Sequence, residues 1–217
     1  DAVRARVARY GDRLAVAAVN GPASVVVSGE PAAVDEFAAE LAADRVRLRR
    51  VPIDYASHSP QVERIRAELA EAVAGVTPGP AAVPVYSTTD LCWLDGPEMD
   101  ADYWYRNLRQ PVELADAIRA VAADGHDTYV ECSPHPVLTP GIEQTLQEHD
   151  RPAVVVGSLQ RDRGDRARFL LAVAQLHVRG VPVDWQPALA GGRRVDLPTY
   201  AFVRRRYWPR PLTGAAD

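Results

Sequence analysis

Lysine is absent from this chain: all 25 basic residues are arginine, set against 29 acidic ones for a formal net charge of −4. No global positive field exists to hold nucleic acid or an anionic membrane, so neither partner is expected. The arginine bias, with abundant Ala, Val, Pro and Gly, fits a GC-rich coding sequence and carries no chemistry. Only Cys92 and Cys132 are present, far apart and without a second ligand at CxxC or HxxxH spacing. That excludes a sequence-local metal site, and both thiols read as reduced and partly buried. No apolar run approaches a membrane span, and no basic start followed by an apolar stretch resembles a signal peptide, so a cytoplasmic setting is expected. There is no internal repeat and no initiator methionine. Asp1 falls inside a helical pattern (Val3, Val7, Tyr10), as expected of a cut from something longer.

What is present is a globular balance: 217 residues, 47% apolar and 25% charged, enough for one substantial core or two small ones. Leu14 to Val19 and Ser24 to Ser28 are β-rich runs joined by Asn20-Gly21-Pro22, a hairpin turn. Pro31 to Ala43 has helical spacing (Val34, Phe37, Ala38, Leu41) with proline in the first turn, and Val46 to Ile53 alternates as a strand. Helices are expected over Val62 to Val73, Trp104 to Leu108, Val112 to Ala123, Val137 to Glu148 and Arg166 to Arg179. Strands are expected over Val83 to Ser87, Thr128 to Cys132 and Ala153 to Val156. Strands alternating with helices imply an α/β fold with a largely parallel sheet. From Val181 the periodicity dissolves, and the aromatics and arginines up to Arg204-Arg205-Arg206-Tyr207-Trp208 read as a tail docked on a protein surface.

His58 is the residue best placed for chemistry. It lies in Asp54-Tyr55-Ala56-Ser57-His58-Ser59-Pro60, between an expected strand and an expected helix, where side chains project from a sheet edge. Spacing alone does not separate a catalytic histidine from a surface one. His135, fixed between Pro134 and Pro136, reads as structural, and His126, His149 and His177 are given no role.

The string Val51-Pro52-Ile53-Asp54-Tyr55-Ala56-Ser57-His58-Ser59 closely resembles the motif around the catalytic histidine of acyltransferase domains in modular type I polyketide synthases. Further blocks agree in order: Ala17 to Pro22 with Val25 to Gly29, Tyr103-Trp104 with Asn107-Leu108 and Gln110-Pro111-Val112, Glu131 to Leu138, and Leu197 to Tyr200 with Arg206 to Trp208. The resemblance covers nearly the whole chain. It implies an incomplete ferredoxin-like small subdomain lacking its first strand (1–54), the C-terminal part of an α/β-hydrolase-like large subdomain (55–180) and a post-acyltransferase linker (181–217).

The same resemblance implies the chemistry. A serine in a GHSxG elbow attacks an acyl-CoA thioester, a histidine takes its proton, and the acyl group passes to the phosphopantetheine thiol of an acyl carrier protein, without a metal or a cofactor in the domain. His58 matches the base, and Asn107 is the position offered for an orienting backbone carbonyl. Tyr55 and Ser57 match a Tyr-Ala-Ser-His string associated with methylmalonyl units, where a small Ser57 leaves room for the α-methyl group; the lesser alternative is that Tyr55 is a strand-end aromatic covering core. The implied partners are a carrier protein and, through the linker, the ketosynthase of the same synthase.

One departure is plain: no G-x-S-x-G occurs in the chain. By resemblance the serine and a carboxylate-binding arginine would precede Asp1, so the 217 residues alone are expected to be inactive. Ser57 and Ser59 flank His58, but neighbours on an extended loop point apart and make poor replacements. The alternatives are a non-catalytic docking segment, a malonyl-selective enzyme, and an unrelated serine hydrolase, which the absent elbow argues against.

Overall fold

The computed structural model describes residues 2–148, 152–205 and 207. The chain forms two compact units, Asp1–Val183 and Asp184–Asp217. In the first, α1 (Ala2–Val7) and a 3₁₀ turn (Ala8–Arg13) lead into a hairpin of β1 (Leu14–Gly21) and β2 (Ser24–Gly29), closed at Pro22-Ala23, so that Asn20 and Gly21, expected in the turn, extend β1 instead. Helix α2 (Pro31–Ala43) follows with proline at its first turn, where the missing amide costs no hydrogen bond. Its apolar stripe buries Ala33, Phe37 and Leu41 against Val7, Leu14 and Val16, and Tyr10 meets Phe37 edge to face at 5.7 Å. Each large buried side chain contributes about 1.5–3 kcal/mol.

A second core joins α5 (Leu114–Ala123), β5 (Thr128–Glu131), α6 (Thr139–Gln147) and β6 (Val154–Gly157) through Ile118, Ala122, Tyr129, Ile142 and Leu146. Between the cores lie a 3₁₀ turn (Pro60–Ile65), α3 (Arg66–Val73), a short hairpin of β3 (Val85–Tyr86) and β4 (Trp93–Leu94), and α4 (Ala101–Arg109). Helix α7 (Arg166–Val178) closes the first unit.

Two contacts tie β1 to the second half of this unit. The β1–β2 register shifts between Val16 and Ala18, leaving a bulge at Ala17. There the Ala17 carbonyl accepts the Val112 amide at 2.9 Å, and the Val19 amide donates to the Val112 carbonyl at 2.8 Å. At the end of β1, Gly21 faces Gly141 of α6 so closely that a Cβ on Gly141 would stand 2.2 Å from the Asn20 carbonyl oxygen.

Several expectations need correction. Residues 46–53 are not a strand: they have no ladder partner among the described residues, and Val46, Leu48, Val51 and Ile53 are all exposed. Alternation marks a chain able to pair, but a strand forms only where a neighbour supplies the other half of the ladder. The sheet is not largely parallel either. Among the described residues it is three two-stranded pairs, of which only β5–β6 is parallel. The β-rich segments close locally as hairpins, β1 with β2 and β3 with β4, the second across the loop 87–92. Cys92 and Cys132 are free, as expected, but exposed rather than partly buried, since Cys92 lies in the loop before β4 and Cys132 in the loop after Thr128–Glu131.

In the second unit Pro187–Leu189 forms one 3₁₀ turn. Leu197, Tyr200, Phe202, Val203 and Tyr207 are exposed, and Tyr200 packs edge to face on Phe202 at 5.0 Å. Arg206 and Trp208 of the tail, like His149, lie outside the described residues. No helix among the described residues is long and apolar enough to cross a membrane.

Candidate functional site

The loop carrying His58 is shaped by the residues that follow it. Ser59 is fully buried; its Oγ accepts the Gln61 amide at 3.3 Å and lies 2.6 Å from the Ala56 carbonyl oxygen, capping the 3₁₀ turn that Pro60 begins. With its proton directed into the loop and no exposure, Ser59 is not available as a nucleophile. Ser57 is half-buried and Tyr55 is 69% exposed, so both flank His58 at the surface of the loop.

His58 itself has φ 57°, in the left-handed region that costs a residue with a Cβ about 1–2 kcal/mol. Two hydrogen bonds to one stretch of chain hold it there. Its amide donates to the Leu108 carbonyl at 2.8 Å, and its Nδ1 lies 2.7 Å from the Gln110 carbonyl oxygen. A carbonyl only accepts, so Nδ1 carries the ring proton and Nε2 keeps its lone pair.

The orienting carbonyl thus belongs to Gln110 and not to Asn107. Asn107 sits inside α4, where carbonyls run along the helix axis. Gln110 is the residue that ends α4. Its ψ of 159° is the extended value forced on a residue before proline, here Pro111, and it swings the carbonyl out of the helical direction. The signal for this turn is present in the sequence as Gln110-Pro111. The position is then fixed from beyond the proline, by the Val112 bridge to β1 and by the Glu113 amide on the Thr88 carbonyl at 2.9 Å.

The outer side of the same elements carries a group that sequence reasoning missed. Glu63, in the turn after His58, accepts from Arg109 Nε at 2.9 Å and from the Tyr105 hydroxyl at 2.5 Å, and the Arg66 guanidinium lies over the Tyr105 ring at 4.4 Å. The Tyr105 and Arg109 hydrogen bonds outweigh partial desolvation and hold the Glu63 carboxyl below its ordinary range. The Glu63 hydrogen bond, foremost, pushes the Tyr105 phenol up.

His135 is engaged differently. Its Nδ1 accepts the Arg161 amide at 3.3 Å and its carbonyl oxygen lies 2.9 Å from Ser133 Oγ, so this ring braces a turn and carries its proton on Nε2, the opposite tautomer to His58. The same turn is organised by Glu131, also unremarked from sequence. Its buried carboxylate accepts the amides of Val137, Leu138 and Thr139, each at 2.9 Å, and the Ser133 hydroxyl. Burial works against the charge, but these four donors outweigh it and hold Glu131 below the usual carboxylate range. His126 is exposed beside Trp93, 5.7 Å between ring centres, and His177 is exposed at the end of α7. Among the described residues no three His, Cys, Asp or Glu side chains are grouped as a metal site.

Comparison with known proteins fits this geometry. Residues 1–183 match the acyl transferase domain family. The chain is 51% identical over 217 residues to the erythronolide synthase EryA2 of Saccharopolyspora erythraea, covering 99% of this chain and 6% of that protein. It is 56% identical over 207 residues to the polyketide synthase GfsA of Streptomyces halstedii, covering 94% of this chain and 3% of that protein. In three dimensions it resembles the acyltransferase domain from module 8 of the salinomycin polyketide synthase, with a TM-score of 0.83 and 50% identity over 86% of this chain and 44% of that one. The chain therefore spans a small fraction of the synthases it matches and under half of that solved domain.

Proposed function

Since the chain belongs to the acyl transferase domain family, we propose that it supplies the general base of an acyltransferase that loads an extender unit from CoA onto an acyl carrier protein of a modular polyketide synthase. The observation that carries this reading is the Nδ1 proton of His58 on the Gln110 carbonyl, which leaves Nε2 as a lone-pair acceptor. A serine hydroxyl within reach gives its proton to Nε2 as its oxygen attacks the thioester carbon. The C–S bond then breaks, and His58 returns the proton to the leaving CoA sulfur. In the second half the carrier's phosphopantetheine thiol gives its proton to Nε2 and attacks the acyl-serine, and His58 returns that proton to the serine oxygen. The Gln110 carbonyl stabilises the imidazolium in both halves.

The serine belongs to a G-x-S-x-G elbow outside these residues, so the 217-residue chain by itself forms no acyl-enzyme. The assignment of 1–54 to a ferredoxin-like subdomain, of 55–180 to the large subdomain and of 181–217 to a linker toward the ketosynthase is part of the same proposal. So is selection of methylmalonyl units by Tyr55 and Ser57, which flank His58 in the loop.

The test uses the full-length synthase containing this segment, with labelled methylmalonyl-CoA and its carrier protein, read by intact mass of the carrier. His58→Ala is expected to slow loading by about 10²–10⁴-fold. Loading at the parent rate rejects the proposal.

A further inference from the structure

The segments 58–66 and 105–110 run side by side and are joined at several points. The His58 amide and Nδ1 meet the carbonyls of Leu108 and Gln110, while Glu63 meets Tyr105 and Arg109 and Arg66 covers the Tyr105 ring. Arg109 is the residue immediately before Gln110, and Glu63 sits in the turn capped by Ser59, the residue after His58. Any shift of the 60–65 turn against the end of α4 therefore changes the distance between Nδ1 and the Gln110 oxygen.

From this arrangement we propose that Glu63, with Tyr105 and Arg109 on its two oxygens, is a positioning clamp that sets the tautomer and orientation of His58. The proposal rests on His58 acting as the base described above. Three observations support it. First, the His58 backbone is in a left-handed conformation, which persists only where surrounding contacts over-determine it. Second, Glu63 is bound at both oxygens by two residues of one helix, one turn apart, which fixes the direction of the carboxylate as well as its distance. Third, the Glu63 side chain is 50% exposed and that of Arg109 is 30% exposed. Exposed pairs of this kind add little to global stability, so the consequence of the clamp is in geometry.

A merely structural pair predicts that its loss lowers the melting temperature and leaves the imidazole alone. A positioning clamp predicts the reverse. In the 217-residue chain, proton–nitrogen correlation NMR reads the protonation of each imidazole nitrogen, with His58 assigned from the signal lost in His58→Ala. The wild-type chain is expected to show neutral His58 as a single Nδ1–H form. Glu63→Gln is expected to give a mixture of tautomers, and Tyr105→Phe a smaller change in the same direction. His135 should stay Nε2–H throughout.

In the full-length synthase, Glu63→Gln is expected to lower kcat by about tenfold or more, with KM for the acyl-CoA unchanged, because a displaced base weakens proton transfer and not thioester binding. Glu63→Gln with wild-type nitrogen shifts, or with wild-type kcat, overturns the clamp. The nitrogen shifts report the clamp whether or not His58 acts on an acyl group, whereas full activity in His58→Ala would overturn the base assignment itself.

Discussion

The Nδ1 of His58 faces the main-chain oxygen of Gln110 at 2.7 Å, and Gln110 is extended because Pro111 follows it. A proline more than fifty positions along the chain thus helps turn toward the imidazole the oxygen that its Nδ1 meets. Pro111→Ala relaxes that restriction and lets α4 run on through Gln110. Acyl transfer by the full-length protein is then expected to fall by about tenfold or more in kcat, with a smaller effect on KM. Steady-state kinetics with varied acyl-CoA separates the two, and an unchanged kcat would show that the Val112 bridge alone holds the carbonyl.

Ser59 follows His58 in the chain but points its hydroxyl into its own loop. Ser59→Ala removes a cap and is expected to cost about 1–2 kcal/mol of stability, measured by chemical denaturation. It should leave transfer activity largely intact at temperatures where the variant is folded. An acyl adduct on Ser59 in the wild-type chain after incubation with acyl-CoA would contradict this placement.

Glu131 is the charge on which the 132–139 turn is built. Glu131→Gln loses the charge that strengthens four hydrogen bonds, and the amide nitrogen it introduces faces donors, so a loss of about 2–3 kcal/mol is expected at neutral pH. The folded-state pKa lies below the ordinary 4.5, so the charged form is favoured by folding. That contribution is fully present above pH 4.5 and is lost as pH falls through the lower folded value. The difference between wild type and Glu131→Gln should accordingly be constant near neutrality and shrink on acidification below that point. Paired denaturation curves across pH check it.

Gly141 is expected to be intolerant of substitution for a reason independent of helix propensity. Alanine is the better helix former, yet its Cβ would stand 2.2 Å from the Asn20 carbonyl oxygen. Gly141→Ala should therefore destabilise the chain by about 1–3 kcal/mol or more by forcing α6 away from β1. A stability gain would mean that the two elements separate freely.

Tyr55 and Ser57 flank His58 at the loop surface, and under the proposed function they select the acyl group. Replacing Tyr55 with His and Ser57 with Phe in the full-length protein is expected to shift preference from methylmalonyl-CoA toward malonyl-CoA by roughly ten- to a few hundredfold, the range one methyl group commands. Competition between the two thioesters measures it directly. An unchanged ratio in a variant that still turns over places the selecting residues elsewhere.

The sequence by itself determined the local elements of this protein. The spacing of Ala33, Phe37 and Leu41 specified the buried stripe of α2, the turn chemistry after Val19 specified the hairpin, and the ordered blocks around His58 identified the family. Each is a matter of neighbours within a turn or two, where side-chain periodicity and backbone restriction act directly. Tertiary structure alone decided the rest. Val46 to Ile53 alternates as well as any strand here and forms none, because a ladder needs a partner whose backbone lies alongside. Pro111 could be read as turning the Gln110 carbonyl out of its helix, but that this oxygen meets His58, rather than solvent, depends on Val112 bridging to β1. Glu63 likewise reads as one more charge on an exposed turn until folding lays Tyr105 and Arg109 against it. Such contacts join residues tens of positions apart, and their geometry is set by the packing of both cores, which no local pattern encodes.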